Sequence, residues 1–110
     1  GVTVALPVTL TAGTPGTADD VEVFALAPWD LEILDAVAKV STAIGGSSVQ
    51  LRSATGGGGT TYSSVLSTAA TGTVRDASAS TFAVAEGSPI YVRRSDRGVA
   101  GKVVVWAVRT

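Results

Sequence analysis

The segment Lys102–Arg109, KVVVWAVR, decides the fold class of this 110-residue chain. Its apolar residues follow one another without the polar alternation of a half-solvated antiparallel strand. In an extended chain one side carries Val103, Val105 and Ala107, and the other carries Val104, Trp106 and Val108. A strand of a small two-sheet sandwich has one side in the core, so we expect another subunit to cover the other side. The sequence therefore predicts an oligomer interface at Val104, Trp106 and Val108.

Short apolar runs separated by turn residues continue outward from this segment. The glycines Gly56–Gly59 favour a flexible loop tip, and Ser95–Gly98 has the composition of a hairpin turn. Such turn signals recur about every 8–12 residues, which is the spacing of sandwiches and jelly rolls. The predicted fold class is all-β: a single-domain antiparallel β-sandwich, jelly-roll-like, with about eight strands. No internal repeat or linker divides the sequence.

The segment 31–44 fits two kinds of secondary structure. A helix would be capped by Asp30 and stopped at Gly45. The apolar stripe of that helix would be Ile33, Val37, Val40 and Ile44. A strand would instead place Leu31, Ile33 and Val37 on one side and Leu34, Ala36, Ala38 and Val40 on the other. We expect the strand, because the surrounding elements are β and need a partner of this length, and the helix stays the alternative.

The N-terminal segment has the two-residue alternation of a strand with one apolar side. Its apolar members are Val2, Val4, Leu6, Val8 and Leu10. Pro7 cannot donate a ladder hydrogen bond, so the segment is expected to be an edge strand or an arm lying on another surface. Residues 1–20 are therefore predicted to form an N-terminal extended arm or strand and a loop. Residues 21–110 are predicted to form the β-sandwich, with one domain overall.

Composition excludes several classes of function. Cysteine, histidine and methionine are absent, which removes thiol nucleophiles, imidazole bases and the usual zinc sites. With 8 basic and 9 acidic residues, the net charge of −1 gives no basic face for nucleic acid. The sequence has no apolar run of 18 residues, so no membrane-spanning helix is predicted. The first ten residues lack the features of a signal peptide, so synthesis in the cytoplasm is expected. We expect no catalytic site, no metal and no cofactor.

Three groups of side chains are candidates for chemistry or binding. The carboxylates Asp30, Glu32, Asp35, Glu86 and Asp96 include possible acid pairs, although acids at turns and strand ends usually keep the surface hydrated. The cations Arg93, Arg94 and Arg97 are candidates for gripping an acidic partner, or for a charged hairpin tip that resists edge pairing. Trp29 is a candidate for stacking on a sugar ring, or for covering the core.

Three stretches of the sequence together resemble a small module of tailed-phage virions. They are DDVEVFALAPWDLEILDAVAKVSTAIGGSSVQL at 19–51, FAVAEGSPIYV at 82–92 and GVAGKVVVWAVR at 98–109. In such modules a strand ends at a proline, an isoleucine-containing strand and a glycine hairpin follow, and a valine-rich strand closes the sheet. The resemblance is to capsid decoration proteins and to head-fibre or tail-fibre domains, which have jelly-roll or sandwich folds.

The resemblance implies a homotrimer located on the capsid surface of a virion. A decoration protein would bind the expanded capsid at junctions of major capsid protein subunits and stabilise the head. The N-terminal arm would contact the capsid through Val2, Val4, Leu6, Pro7, Val8 and Leu10. The alternative is a head-fibre or tail-fibre module that recognises host cell-surface glycans, with Trp29 as the stacking residue.

Overall fold

The computed structural model describes residues 2–76 and 80–110, and in this part of the chain every regular element is a strand. The strands are β1 Thr3–Leu10, β2 Asp19–Phe24, β3 Leu31–Thr42, β4 Ser48–Arg52, β5 Leu66–Ser67, β6 Gly72–Arg75, β7 Phe82–Val84, β8 Ile90–Arg94 and β9 Ala100–Arg109. The predicted all-β class is confirmed.

The strands form two antiparallel sheets. The larger sheet has the order β1-β9-β3-β6, and β7 also pairs with β3. The smaller sheet has the order β2-β8-β4-β5. When the short β7 is left out, the remaining eight strands alternate between the sheets except at β4 and β5, which are neighbours in the smaller sheet. Two four-stranded sheets connected in this way are the arrangement of a jelly roll. The predicted single-domain jelly-roll-like sandwich is therefore confirmed, with β7 as an additional strand.

The segment 31–44 is a strand over Leu31–Thr42, which confirms the preferred interpretation over the helix. The expected division of its sides is wrong, because the register with β9 shifts between Ile33 and Asp35. This β-bulge leaves Leu34 without a partner in β9. After the bulge, each residue points to the opposite side of the sheet from the one that simple alternation predicts. As a result the inner side carries Leu31, Ile33, Ala36, Ala38 and Val40, which are all buried. Alternation alone cannot predict a bulge, so Leu34 was assigned to the wrong side.

The N-terminal segment is an edge strand of the larger sheet. Each residue of β1 has a partner in β9, from Thr3 opposite Val108 to Leu10 opposite Gly101. Val8 and Leu10 belong to the core, with 8% and 4% of their surfaces exposed. The predicted capsid contact of these two residues is therefore corrected, because they are already covered by this chain's own second sheet. The outward side of β1 is formed by Thr3, Ala5, Pro7 and Thr9.

The core lies between the inner sides of the two sheets. Its largest fully buried apolar side chains are Ile33, Leu51, Leu66, Ile90, Val49, Val84, Val92, Val99, Val103 and Val105. Each side chain of this size contributes on the order of 1.5–3 kcal/mol on burial. The inner side of β9 supplies two of them, so one apolar side of KVVVWAVR is used within the monomer and the other is left outside.

Candidate functional site

The outer side of the larger sheet is the first candidate surface. Cross-strand pairing places Trp106 of β9 between Ala5 of β1 and Asp35 of β3, and Val104 between Pro7 and Val37. Trp106 keeps 39% of its surface exposed. We call this surface the apolar face and define it as Ala5, Pro7, Val37, Val104, Trp106 and Val108. The predicted interface residues Val104, Trp106 and Val108 thus lie on one side of a central strand.

Charged residues lie at both ends of the apolar face. At one end Lys39 of β3 is directly opposite Lys102 of β9. At the other end Glu32 of β3 is opposite Val108. Between them Asp35 lies 3.6 Å from Arg75 of β6, an ion pair whose arginine side chain is 69% exposed. The face therefore has a basic end, an apolar centre and an acidic end.

A cavity at one end of the sandwich is the second candidate site. We call it the terminal cavity. Its volume is about 420 Å³, and its lining residues are Val2, Val4, Trp29, Arg109 and Thr110. The guanidinium carbon of Arg109 lies 5.0 Å from the centre of the Trp29 ring, a cation–π distance. The predicted sugar-stacking residue Trp29 therefore lies at a concave, mostly apolar site with one cation.

Unequal strand lengths explain where the terminal cavity forms. β1 and β9 have 8 and 10 residues, whereas β2, β4 and β8 have only 5 or 6. The inner side of β9 continues past Ala107 to Arg109. This end of the larger sheet extends farther than the shorter strands of the smaller sheet, which do not cover it. Val2 and Val4 consequently stay exposed, and the connection between β2 and β3 contributes Trp29. Of the predicted arm residues, Val2 and Val4 are exposed at this end, and Pro7 is exposed on the opposite, outer side of β1.

The three arginines predicted to bind an acidic partner do not form one patch. Arg94 is 5% exposed and points between the sheets, where Nε and Nη2 each donate to Asp19 at 2.7 Å. Its Nη1 donates to the carbonyls of Thr11 and Val99 at 2.8 and 2.7 Å. Arg94 is therefore a buried structural residue, and its predicted role in partner binding is corrected.

Arg93 and Arg97 also make bonds within the chain. Arg93 Nη1 donates to Asp20 Oδ2 at 3.0 Å, on the outer side of the smaller sheet. Arg97 Nε donates to the carbonyl of Thr14 at 2.7 Å and so ties the hairpin tip to the loop after β1. Strand alternation explains the separation, because consecutive residues such as Arg93 and Arg94 point to opposite sides of a sheet.

The glycine-rich loop is fixed to the outer side of the smaller sheet. Gly56 N donates to Asp20 Oδ2 at 2.9 Å, and Arg52 Nε donates to the carbonyl of Gly58 at 3.0 Å. Gly57 has a φ of +75° and lies against the guanidinium of Arg93. The loop predicted to be a flexible tip is thus bonded to one carboxylate and one arginine and lies next to a second arginine. One oxygen of this carboxylate, Asp20 Oδ1, is buried and has no hydrogen-bond partner among the described residues.

Most carboxylates near the loops accept hydrogen bonds from backbone amides. Asp30 Oδ1 accepts from the amide of Glu86 at 2.7 Å, and Asp96 accepts from the amides of Gly16 and Gly98. Asp76 accepts from the amide and hydroxyl of Ser64. Within residues 2–76 and 80–110 no three acidic side chains are grouped as metal ligands. The same ranges contain no helix that could span a membrane.

Comparisons with protein families, with characterised proteins and with solved structures found no match to this chain. The residues of the two candidate sites therefore rest on the geometry of this chain alone. The sequence analysis missed Lys39, Lys102 and Arg109 as site residues. An antiparallel pairing of the first and last strands would have placed Arg109 beside Val2, but pairing partners are not specified by strand patterns.

Proposed function

We propose that this chain is a structural protein of a phage head, a capsid decoration protein that associates with itself and binds the expanded shell. The apolar face is the observation that carries the proposal. An exposed Trp at the centre of an apolar sheet surface is typical of a surface that meets another protein. The resemblance to phage decoration proteins supplies the kind of assembly, and it implies three copies.

The two candidate surfaces suit two different contacts. The apolar face lies on the outer side of the larger sheet, and the terminal cavity lies at the end where β1 begins and β9 finishes. One molecule can therefore use the face for its own copies and the exposed valines Val2 and Val4 for the capsid. This replaces the longer arm expected from the sequence, because the second half of β1 is part of the core.

The mechanism is mechanical and follows from linkage. A protein that binds the expanded shell and not its precursor stabilises the expanded shell in proportion to its occupancy. Each contact at an end as small as the terminal cavity is weak. Several linked copies bound to one lattice add their contacts as avidity, with no need for a strong single site.

Binding to empty expanded heads of the phage that encodes the chain tests the capsid contact. The double variant Val2→Asp and Val4→Asp places charges at the proposed contact and should lower head occupancy at least tenfold. The matched control is Val65→Asp, a change at another exposed valine, and its occupancy should be unchanged. Absence of the wild-type chain from the heads would overturn the proposal.

The terminal cavity favours a second candidate function, glycan recognition by a fibre module. A tryptophan beside an arginine and an open cavity suits a pyranose ring with a hydroxyl or carboxylate facing the cation. Saturable binding on a glycan array, lost in Trp29→Ala and kept in Trp106→Thr, would favour this function. The two tryptophans are each 39% exposed, so they are matched controls for one another.

A further inference from the structure

We infer that the apolar face pairs with the apolar face of a second copy in an antiparallel, two-fold arrangement. The axis lies between the larger sheets of the two copies, parallel to both sheets, and runs perpendicular to β9 at the level of Val105. This inference deepens the proposed function and rests on its clause that the chain associates with itself.

The first observation is a pair of like charges that the single chain leaves uncompensated. Lys39 and Lys102 are direct cross-strand neighbours on the apolar face. Like charges in this position destabilise a sheet. Neither lysine forms an ion pair with any residue in the described ranges. A carboxylate from a partner would remove the repulsion, and this chain carries one at the other end of the same strand.

The second observation is that the face is complementary to its own reversed copy. The two-fold rotation places each strand of one copy over the same strand of the other copy, and the two strands run in opposite directions. Lys102 of one copy then lies over Val108 of the other. Lys39 is the cross-strand neighbour of Lys102 and Glu32 is that of Val108, so Lys39 of one copy lies over Glu32 of the other. At the centre Trp106 lies over Val104 of the second copy.

The neighbouring strand β1 fits the same rotation. Ala5 is level with Trp106, and Pro7 is level with Val104. Ala5 of one copy therefore lies over Pro7 of the other, two small side chains without charge. Asp35 is level with Trp106 and Val37 is level with Val104, so Asp35 of one copy lies over Val37 of the other and meets no second carboxylate.

A threefold arrangement with its axis along the strands gives the opposite electrostatic result. That axis keeps equal levels together, so the Lys39 and Lys102 pairs of all three copies would lie at one end. Six ammonium groups would face one another there, and the Glu32 carboxylates would gather at the other end. The charge pattern therefore favours two-fold pairing over the trimer that the resemblance implies.

The size of the face sets the strength of the contact. The seven residues Lys102–Val108 of β9 and the width of four strands, with β6 and β7 sharing the outer edge of β3, cover about 23 Å by about 15 Å. Allowing for the relief of the side chains, two copies bury on the order of 1,000 Å² in total, the lower limit of specific interfaces. We therefore expect a reversible dimer with a Kd on the order of 1–100 μM.

A charge-reversal series followed by sedimentation velocity tests the pairing. Glu32→Lys alone and Lys39→Glu alone each place like charges together across the interface and should raise the Kd at least tenfold. The double variant E32K/K39E reverses both charges and should return the Kd to within about threefold of wild type. The two positions are about 20 Å apart on one strand, so this recovery requires contact between copies. Glu22→Lys, on the outer side of the smaller sheet, is the matched control and should not change the Kd.

The outcomes separate this inference from the proposed function. A wild-type monomer at high concentration, a trimer, or a double variant that stays as weak as the single variants would overturn the two-fold pairing. Circular dichroism confirms that each variant is folded. Binding to heads is measured separately, so a dimer that ignores the heads upholds the pairing and overturns the decoration function. A chain that occupies the heads as a monomer upholds the decoration function and overturns the two-fold pairing.

Discussion

The outer sides of the two sheets differ in how many of their charged groups are paired and in how much of their surface the chain itself covers. On the smaller sheet Arg93 bonds Asp20, and the glycine-rich loop lies over both of them. On the larger sheet Trp106 is exposed, and Lys39 is opposite Lys102 without an ion pair among the described residues. The smaller sheet is thus partly covered by its own chain, whereas the outer side of the larger sheet keeps an exposed tryptophan and an uncompensated pair of lysines.

This difference separates folding from association. Substitutions under the glycine-rich loop remove contacts within one molecule, so they should change the free energy of unfolding. Substitutions on the apolar face remove few contacts within one molecule, so they should change the association of copies instead.

The largest effect is expected for Arg94→Ala at the inner side of the smaller sheet. The change removes a bidentate ion pair and two bonds to backbone carbonyls, all of them buried or partly buried. We expect a loss of about 3 kcal/mol in the free energy of unfolding, measured by urea denaturation. Arg97→Ala is the control, because Arg97 makes one exposed bond to Thr14, and it should cost less than about 1 kcal/mol. Equal losses in the two variants would contradict the structural role of Arg94.

Asp20→Ala should have the next largest effect. Its carboxylate joins Arg93 of β8 to the amide of Gly56, and only 10% of the side chain is exposed. Loss of these charge-assisted bonds should lower the free energy of unfolding by about 1.5 kcal/mol in the same assay. Asp20→Asn keeps an acceptor oxygen and should lose about half as much. The Kd for self-association should stay at the wild-type value, and a changed Kd would break the comparison between the two sheets.

Gly57→Ala tests the loop itself. The φ of +75° is unfavourable for alanine, while the added methyl group would meet Arg93 at an ordinary distance of 3.7 Å. Strain without a clash should therefore cost about 1 kcal/mol in the free energy of unfolding. Gly58→Ala has no positive φ and is the matched control, with an expected change below about 0.5 kcal/mol. Equal values for both variants would mean that the backbone of the loop is not held in place.

Trp106→Thr should have the smallest effect on folding. Threonine suits a strand, and Trp106 is already 39% exposed, so the loss of its packing against cross-strand neighbours such as Ala5 and Asp35 should cost no more than about 1 kcal/mol. The same variant should raise the Kd for self-association at least tenfold, as sedimentation velocity would measure. A large loss of stability with unchanged association would show that Trp106 serves the fold alone.

Strand periodicity and turn spacing were sufficient to predict the fold class and the two apolar sides of β9, and Pro7 indicated that β1 is an edge strand or an arm. It could not predict the bulge at Leu34, because a bulge depends on the partner strand and leaves no mark in the alternation. The arginine patch failed for a related reason. Arg93 and Arg94 are adjacent in sequence, but alternation sends them to opposite sides of the smaller sheet.

The candidate sites were only partly predictable. Trp106 and Trp29 were recognised from the sequence because large aromatic side chains are informative by themselves. The Lys39–Lys102 pair and the position of Arg109 beside Val2 depend on strand register, which brings together residues far apart in the chain. Register is set by three-dimensional packing, so these charges became visible only in the folded structure.

Sedimentation equilibrium of the wild-type chain shows whether two copies pair through the larger sheet. If they do, the weight-average mass rises with concentration, from the 10.9 kDa of one chain toward twice that value, over about 1–300 μM. A mass that stays at 10.9 kDa across this range would contradict the claim that the larger sheet carries an interface.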